Sequence, residues 1–235
     1  MHTDILIDGY DCTEYDICPV ERPTIPTAKR DINIENARGR NGSIIDKFGY
    51  EDIKISITFN FLERCKSFKV AFRHLKPWLL YAEKLAFADD LGFYYRVKHV
   101  EIDDAENEIL EHGEFKVEFI LDPFQYLVTS DIAVKKNQEL YNLGTIYSEP
   151  YIKIVGSGDI KLVVNQLTVT LKGVSGFIEL DSELYNAFKN DGGIITDQNT
   201  KMFTYDFPIL DVGKNVIDWT GNVQQVILNA RWRCL

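Results

Sequence analysis

No stretch of this sequence approaches the roughly 18 to 20 consecutive apolar residues that a membrane-spanning helix needs. Its first residues, Met1-His2-Thr3-Asp4, lack the basic segment and apolar run of a secretory leader, so neither a membrane span nor an export route is expected. Cysteine is scarce. Cys12, Cys18, Cys65 and Cys234 are too scattered for paired C-x-x-C zinc spacing, which points to free thiols in a reducing compartment; a Cys12–Cys18 bridge is the alternative. Only four histidines occur, and His74, His99 and His112 fall in no H-x-x-x-H or H-E-x-x-H pattern, so no zinc site is expected. No G-x-S-x-G elbow exists, and Gly156-Ser157-Gly158 lacks the Lys-Ser/Thr of a phosphate loop, so it reads as a turn. Positive charge is also in deficit. With 26 basic against 36 acidic residues the net charge is -10, and neither part is basic: 18 against 25 up to Asn137, 8 against 11 beyond it. Such a chain repels phosphate backbones, which argues against a nucleic-acid binder.

What is present is an ordinary globular composition, 45% hydrophobic and 26% charged over 235 residues, enough for one large domain or two small ones. Ile53-Lys54-Ile55-Ser56-Ile57-Thr58-Phe59-Asn60-Phe61 alternates apolar and polar residues without a break, the signature of a half-buried strand. Ile32 and Ile34 mark a strand upstream, and Gly39-Arg40-Asn41-Gly42 supplies permissive backbone, so these two strands are expected to pair antiparallel. Phe93, Tyr95 and Val97 share a face that then moves to Val100 and Ile102, which predicts a bulge near Lys98-His99. Phe115, Val117, Phe119 and Leu121 alternate up to Pro123, where the strand is expected to stop. Between them Phe68, Phe72, Leu75 and Leu79 recur at helical spacing, predicting one helix from about Glu63 to Tyr81 with a kink or break at Pro77 and Trp78 packing in its last turn.

The polar stretch Lys135-Lys136-Asn137-Gln138 suggests a boundary that separates residues 1–137 from 138–235. Beyond it come short apolar alternations: Ile152/Ile154, Ile160/Leu162/Val164, Leu167/Val169/Leu171, Phe177 to Leu180, and Val226/Leu228/Ala230/Trp232. Separated by Gly156, Gly158, Gly173, Gly176 and Gly192-Gly193, they indicate a β-sandwich of short strands.

Three acidic or aromatic features invite chemistry. Asp103-Asp104-Ala105-Glu106-Asn107-Glu108 lacks the glycine and the spacing of a calcium loop and reads as a solvated hairpin tip. Glu179, Asp181 and Glu183 alternate along one strand; they can line a glycosidase cleft, but read as the wet face of an edge strand, where charge discourages aggregation. Trp232 reads as core, and Trp219, beside Thr220-Gly221-Asn222 in an expected turn, is the candidate for stacking on sugar. Asn41-Gly42-Ser43 matches a glycosylation acceptor but reads as a turn.

Several blocks, taken in their order and spacing, resemble the distal tail proteins of phages with long non-contractile tails. They are Pro23-Thr24-Ile25-Pro26, Gly39-Arg40-Asn41-Gly42-Ser43, Leu75-Lys76-Pro77-Trp78-Leu79, Leu85-Ala86-Phe87-Ala88-Asp89-Asp90, Tyr94-Tyr95-Arg96-Val97, Phe115-Lys116-Val117-Glu118-Phe119 and Asp122-Pro123-Phe124. In the second half Ser148-Glu149-Pro150-Tyr151-Ile152-Lys153-Ile154, Ile178-Glu179-Leu180-Asp181-Ser182-Glu183, Phe207-Pro208-Ile209-Leu210 and Gly213-Lys214-Asn215 continue the pattern. The resemblance implies a mainly β protein: an N-terminal ring-forming β domain with one covering helix, and a C-terminal galectin-like β-sandwich. It further implies a homo-hexameric ring at the virion tail tip, assembled in the bacterial cytoplasm, between the major tail tube protein and the tail-associated protein. DNA passes through its channel without specific binding, and no catalytic residue, cofactor, metal or membrane is involved. Gly39, Gly42, Phe72, Trp78 and Pro123 are then structural residues. The 98 residues from 138 to 235 leave little room for a receptor-binding arm. The competing readings are a carbohydrate-binding module or adhesin, and a small glycosidase; a closed ring distinguishes the hub from both.

Overall fold

The computed structural model describes residues 5–36, 38–62, 68–104 and 114–235. The chain divides into two compact units between Val128 and Thr129. The segment 129–137, which precedes the boundary expected from the polar stretch, lies with the second unit because its strand joins the sheet there.

In the first unit the strands β1 (Ile5–Ile7), β2 (Tyr10–Asp11), β3 (Ile17–Pro19), β4 (Arg30–Glu35), β5 (Ile44–Tyr50) and β6 (Ile53–Phe61) precede helix α1 (Phe68–Leu80). Strands β7 (Lys84–Phe87), β8 (Phe93–Ile102) and β9 (Glu114–Leu127) follow it. The main sheet has the order β2-β1-β7-β8-β9-β6-β3. The alternation in β6 works as its sequence dictates: Ile53, Ile55, Ile57, Phe59 and Phe61 are buried while Lys54 and Ser56 face out, and Phe119, Val117 and Phe115 stand opposite on β9. The strand expected to partner β6, however, does not. β4 pairs with β5, and those two form a ribbon of their own; the turn at Gly39 and Gly42 leads into β5, a strand that the sequence pattern passed over because Ile44-Ile45-Asp46-Lys47-Phe48 does not alternate.

Helix α1 lays Leu75 and Leu79, both fully buried, on the sheet core, with Phe72 and Trp78 half-buried beside them. The break expected at Pro77 is absent: the helix continues to Leu80, with Tyr81 N–H donating to Pro77 O at 3.1 Å. One turn is all that follows the proline, and its residues are held from outside, Leu79 by the core and Trp78 by a ring stack on Tyr15 at 3.9 Å. The expected start at Glu63, and Cys65, lie outside the described residues.

In β8 the buried positions are Tyr95 and Val100, five apart, and the ladder to β9 slips twice between Tyr95 and His99, so the bulge falls where the shifted face predicted it. The slip explains a second departure. β9 does not stop at Pro123 but runs on to Leu127, with Pro123 buried opposite the irregular stretch of β8, where the β8–β9 ladder skips from Gln125 to Leu121.

The second unit contains β10 (Ile132–Val134), β11 (Gln138–Asn142), β12 (Tyr151–Val164), β13 (Leu167–Asp181), β14 (Asn186–Asp191), β15 (Ile194–Asp197) and β16 (Gly213–Asn229). Their order is β10-β16-β12-β13-β14-β15, with β11 also on β16. The short strands expected from the glycine spacing are halves of long ones: Ile152/Ile154 and Ile160/Leu162/Val164 belong to β12, and Leu167/Val169/Leu171 and Phe177 to Leu180 belong to β13. The glycines bend these strands rather than ending them. At Gly173 (φ +62°) the buried face of β13 moves from Val169 and Leu171 to Val174 and Ile178, and the Gly173 N–H is held by Asp159 at 3.1 Å. Opposite, a side chain at Gly221 would collide with the Asp159 carbonyl, so β16 bends at the same place. The sheet thereby curls into a sandwich whose interior holds Ile152, Ile154, Leu162, Val169, Leu171, Ile178, Ile217 and Leu228, all fully buried.

Candidate functional site

Two features of the described residues lack an ordinary role in packing. The first is the ribbon β4–β5. Ile34 stands opposite Ile45 and shares its face with Ile32; the three are 53%, 49% and 43% exposed, and Phe48 is 55% exposed. In a half-buried strand one face is covered, yet among the described residues nothing covers this one. The ribbon is tied down at its base, where Tyr50 meets the Phe124 ring edge-on at 5.7 Å, the Arg30 guanidinium lies 5.2 Å from the Tyr50 ring, and Glu51 N–H donates to Lys29 O. A lone two-stranded ribbon is marginal in water, and here its apolar face stays exposed among the described residues.

The second is an ionic cluster in the second unit, and it corrects the reading of Glu179, Asp181 and Glu183 as a solvated edge. At Glu179 and Asp181 β13 lies between β12 and β14, with Glu179 opposite both Lys153 and Phe188, while Glu183 falls in the turn just past the strand. Glu179 and Asp181 are 3% and 5% exposed. Lys153 reaches Glu179 at 2.9 Å, Asn190 N–H donates to the other oxygen at 2.7 Å, and the Tyr151 hydroxyl also bonds Glu179. Arg231 grips Asp181 through two bonds of 2.8 Å and meets Glu183 at 3.0 Å. Burial, together with the bond to Glu179 and its charge, pushes the Tyr151 hydroxyl far above the ordinary tyrosine range. Burial also penalises the Asp181 carboxylate, but the Arg231 bonds and charge, with N–H groups of Leu184 and Glu183, outweigh it and hold its pKa down. A glycosidase needs two carboxyls facing each other across a substrate. Each of these three is instead engaged by a cation, which makes the cluster a lock. Nothing in the residue pattern marks Arg231 or Lys153 as partners, since a charge alternating on a strand looks the same whether it meets water or an opposite charge.

The expected site residues do not converge. Gly39 and Gly42 take left-handed φ of +84° and +79° between β4 and β5. Phe72 packs on Phe115 at 5.1 Å beneath the Lys76 ammonium, Trp78 stacks on Tyr15, and Pro123 lies in β9. Trp219 is half-buried within β16, opposite Leu162, and not in a turn, while Trp232 is 2% exposed as expected of a core residue. Cys12, Cys18 and Cys234 are free thiols, and burial raises the Cys18 pKa. His74 and His99 are exposed on α1 and β8; His112 and residues 105–108 of the acidic tip lie outside the described residues. No helix of the described residues is long and apolar enough to cross a membrane, and no cluster of three potential metal ligands occurs among them.

No family model matches the chain, and no curated protein matches its sequence. Solved structures do. The SPP1 Dit (gp 19.1) protein, described as a paradigm of the hub adsorption apparatus in Gram-positive-infecting phages, aligns with a TM-score of 0.66 over 97% of this chain and 98% of that one, at 13% identity. This chain has the hub-protein fold. Chains of the phage p2 baseplate in its activated conformation align as well: with strontium at TM-score 0.54 and 10% identity over 96% and 95% of the two chains, with calcium at 0.55 and 10% over 97% of each. The hub fold thus agrees with the resemblance read from the sequence, and the agreement spans both units.

Proposed function

We propose that this chain is a non-catalytic hub protein of a phage tail tip. In this reading six copies close into a ring between the major tail tube protein and the tail-associated protein. DNA passes through its channel, the first unit forms the ring and the second unit, from Thr129 on, forms the sandwich domain. Its place is the virion tail, after assembly in the host cytoplasm. The observation that carries the reading is the alignment with the SPP1 hub protein over 97% of this chain and 98% of that one. The bare apolar face of the β4–β5 ribbon supports it, because a surface on one copy that fits a different surface on the next builds a closed ring when the rotation closes.

The test is absolute mass. Sedimentation equilibrium of the purified protein is expected to give about 163 kDa, six copies of 27.1 kDa. Electron microscopy of tails should show this protein as a six-fold ring. A single copy of the chain in assembled tails overturns the ring.

A further inference from the structure

We propose that Asn41 is a self-modifying site, converted by water alone to aspartate and isoaspartate, a property independent of the hub role. The chain has fourteen asparagines, and Asn41 is the one followed by glycine; each of the others is followed by a residue that carries a side chain. That neighbour decides the reaction. The main-chain nitrogen of the next residue must swing onto the asparagine side chain, and a Cβ beside that nitrogen obstructs the approach.

The link between β4 and β5 leaves this pair unrestrained. Asn41, Gly42 and Ser43 are all exposed, and no atom lies within 4 Å of where a Cβ on Gly42 would stand. Neither the Asn41 amide nor the Gly42 N–H has a hydrogen-bond partner among the described residues. Asparagines of the second unit are held instead: Asn142 donates to the Leu210 and Asp211 carbonyls, and Asn215 to the Asp211 and Gly213 carbonyls. Arg40 comes just before Asn41 and sets positive charge near the Gly42 N–H, which favours loss of its proton.

The steps balance without oxidant or reductant. Gly42 N gives up its proton and bonds Asn41 Cγ, the Cγ–Nδ2 bond breaks, and that nitrogen leaves as ammonia with the proton, closing a succinimide. Water then opens the ring. Addition at Cγ breaks the new bond and yields aspartate; addition at the main-chain carbonyl carbon of Asn41 breaks the original peptide bond and yields isoaspartate. Either way the water hydroxyl completes a carboxyl group and its remaining hydrogen returns to Gly42 N. The product has one more carboxylate, moving the net charge from -10 to -11, and isoaspartate adds a methylene to the main chain beside the Glu35–Ile44 pair that ends the ribbon. In a ribbon of only two strands, the link helps to fix the register.

The experiment stores the purified full chain for several weeks in mildly alkaline and in mildly acidic buffer, then maps its peptides by mass spectrometry. A gain of about one mass unit at Asn41 is expected, faster in the alkaline buffer and with isoaspartate among the products. Hydroxylamine, which cleaves at the succinimide, should give fragments of 41 and 194 residues (235 minus 41). Gly42→Ala and Asn41→Gln should each slow the gain about tenfold or more. Both positions are exposed, so circular dichroism should match the unchanged protein. A gain spread evenly over the asparagines overturns the proposal, and so does a folded chain that reacts far more slowly than the same chain in urea, since the ribbon would then protect the site. A sugar mass on Asn41 in protein from its native source assigns the motif to glycosylation and equally overturns it.

Discussion

Arg231 shows what a single residue contributes that sequence pattern hides. It sits in a left-handed conformation (φ +49°) past the end of β16, bonds Asp181 twice and contacts Glu183, so its side chain neutralises two carboxylates. Arg231→Met should leave both acids without that cation and destabilise the second unit by about 3 to 5 kcal/mol, read as a lower urea midpoint. Exchanging Asp181 and Glu183 for Asn and Gln in the same chain should recover part of the loss. The pH dependence follows from the same contacts. The Asp181 pKa is depressed in the folded state, so its contribution is complete above the unfolded value of about 3.9 and disappears as pH falls through the lower folded value. Tyr151 runs the other way: its folded pKa is raised, so stability is complete below about pH 10 and declines as pH rises beyond it. Tyr151→Phe should flatten the alkaline limb of a stability-against-pH curve and leave the acid limb in place; an unchanged alkaline limb would contradict the assignment.

At the scale of elements, strict alternation was legible and bent strands were not. β6 and the helix face at Leu75 and Leu79 followed from spacing alone, because burial on one side leaves a period in the sequence. β13 read as two strands because its buried face changes parity at Gly173, and Pro123 read as a stop because the bulge that accommodates it lies on β8. Two predictions belong here. Leu79→Ala removes a fully buried side chain between α1 and the sheet and should cost about 2 to 5 kcal/mol, visible as an earlier thermal transition of the first unit. In the ribbon, Ile34→Lys with Ile45→Lys alters two exposed residues and should change the stability of a single copy by no more than about 0.5 kcal/mol per site. The same pair should reduce the assembled mass to that of smaller species, since it places charge on the face that the neighbouring copy would cover. A full-sized ring from this variant would remove the ribbon from the interface.

For the whole molecule the deciding quantity is charge. The proposed ring leaves a passage for DNA, and a passage must not hold what moves through it. With 36 acidic and 26 basic residues each copy carries -10, so a ring of six presents a large excess of negative charge to a polymer that is itself densely negative. Non-specific DNA binding depends on releasing counterions from phosphates neutralised by Lys and Arg, and typically gives dissociation constants of about 10⁻⁴ to 10⁻⁶ M at physiological salt. This protein should fall outside that range. In an electrophoretic assay with duplex DNA at low salt, no retardation is expected up to about 10 µM protein, and lowering the salt further should not produce any. Retardation that weakens steeply as salt is added would mean that the basic residues are gathered on a surface that meets DNA, and the inert-passage reading would then fail even if the ring itself stands.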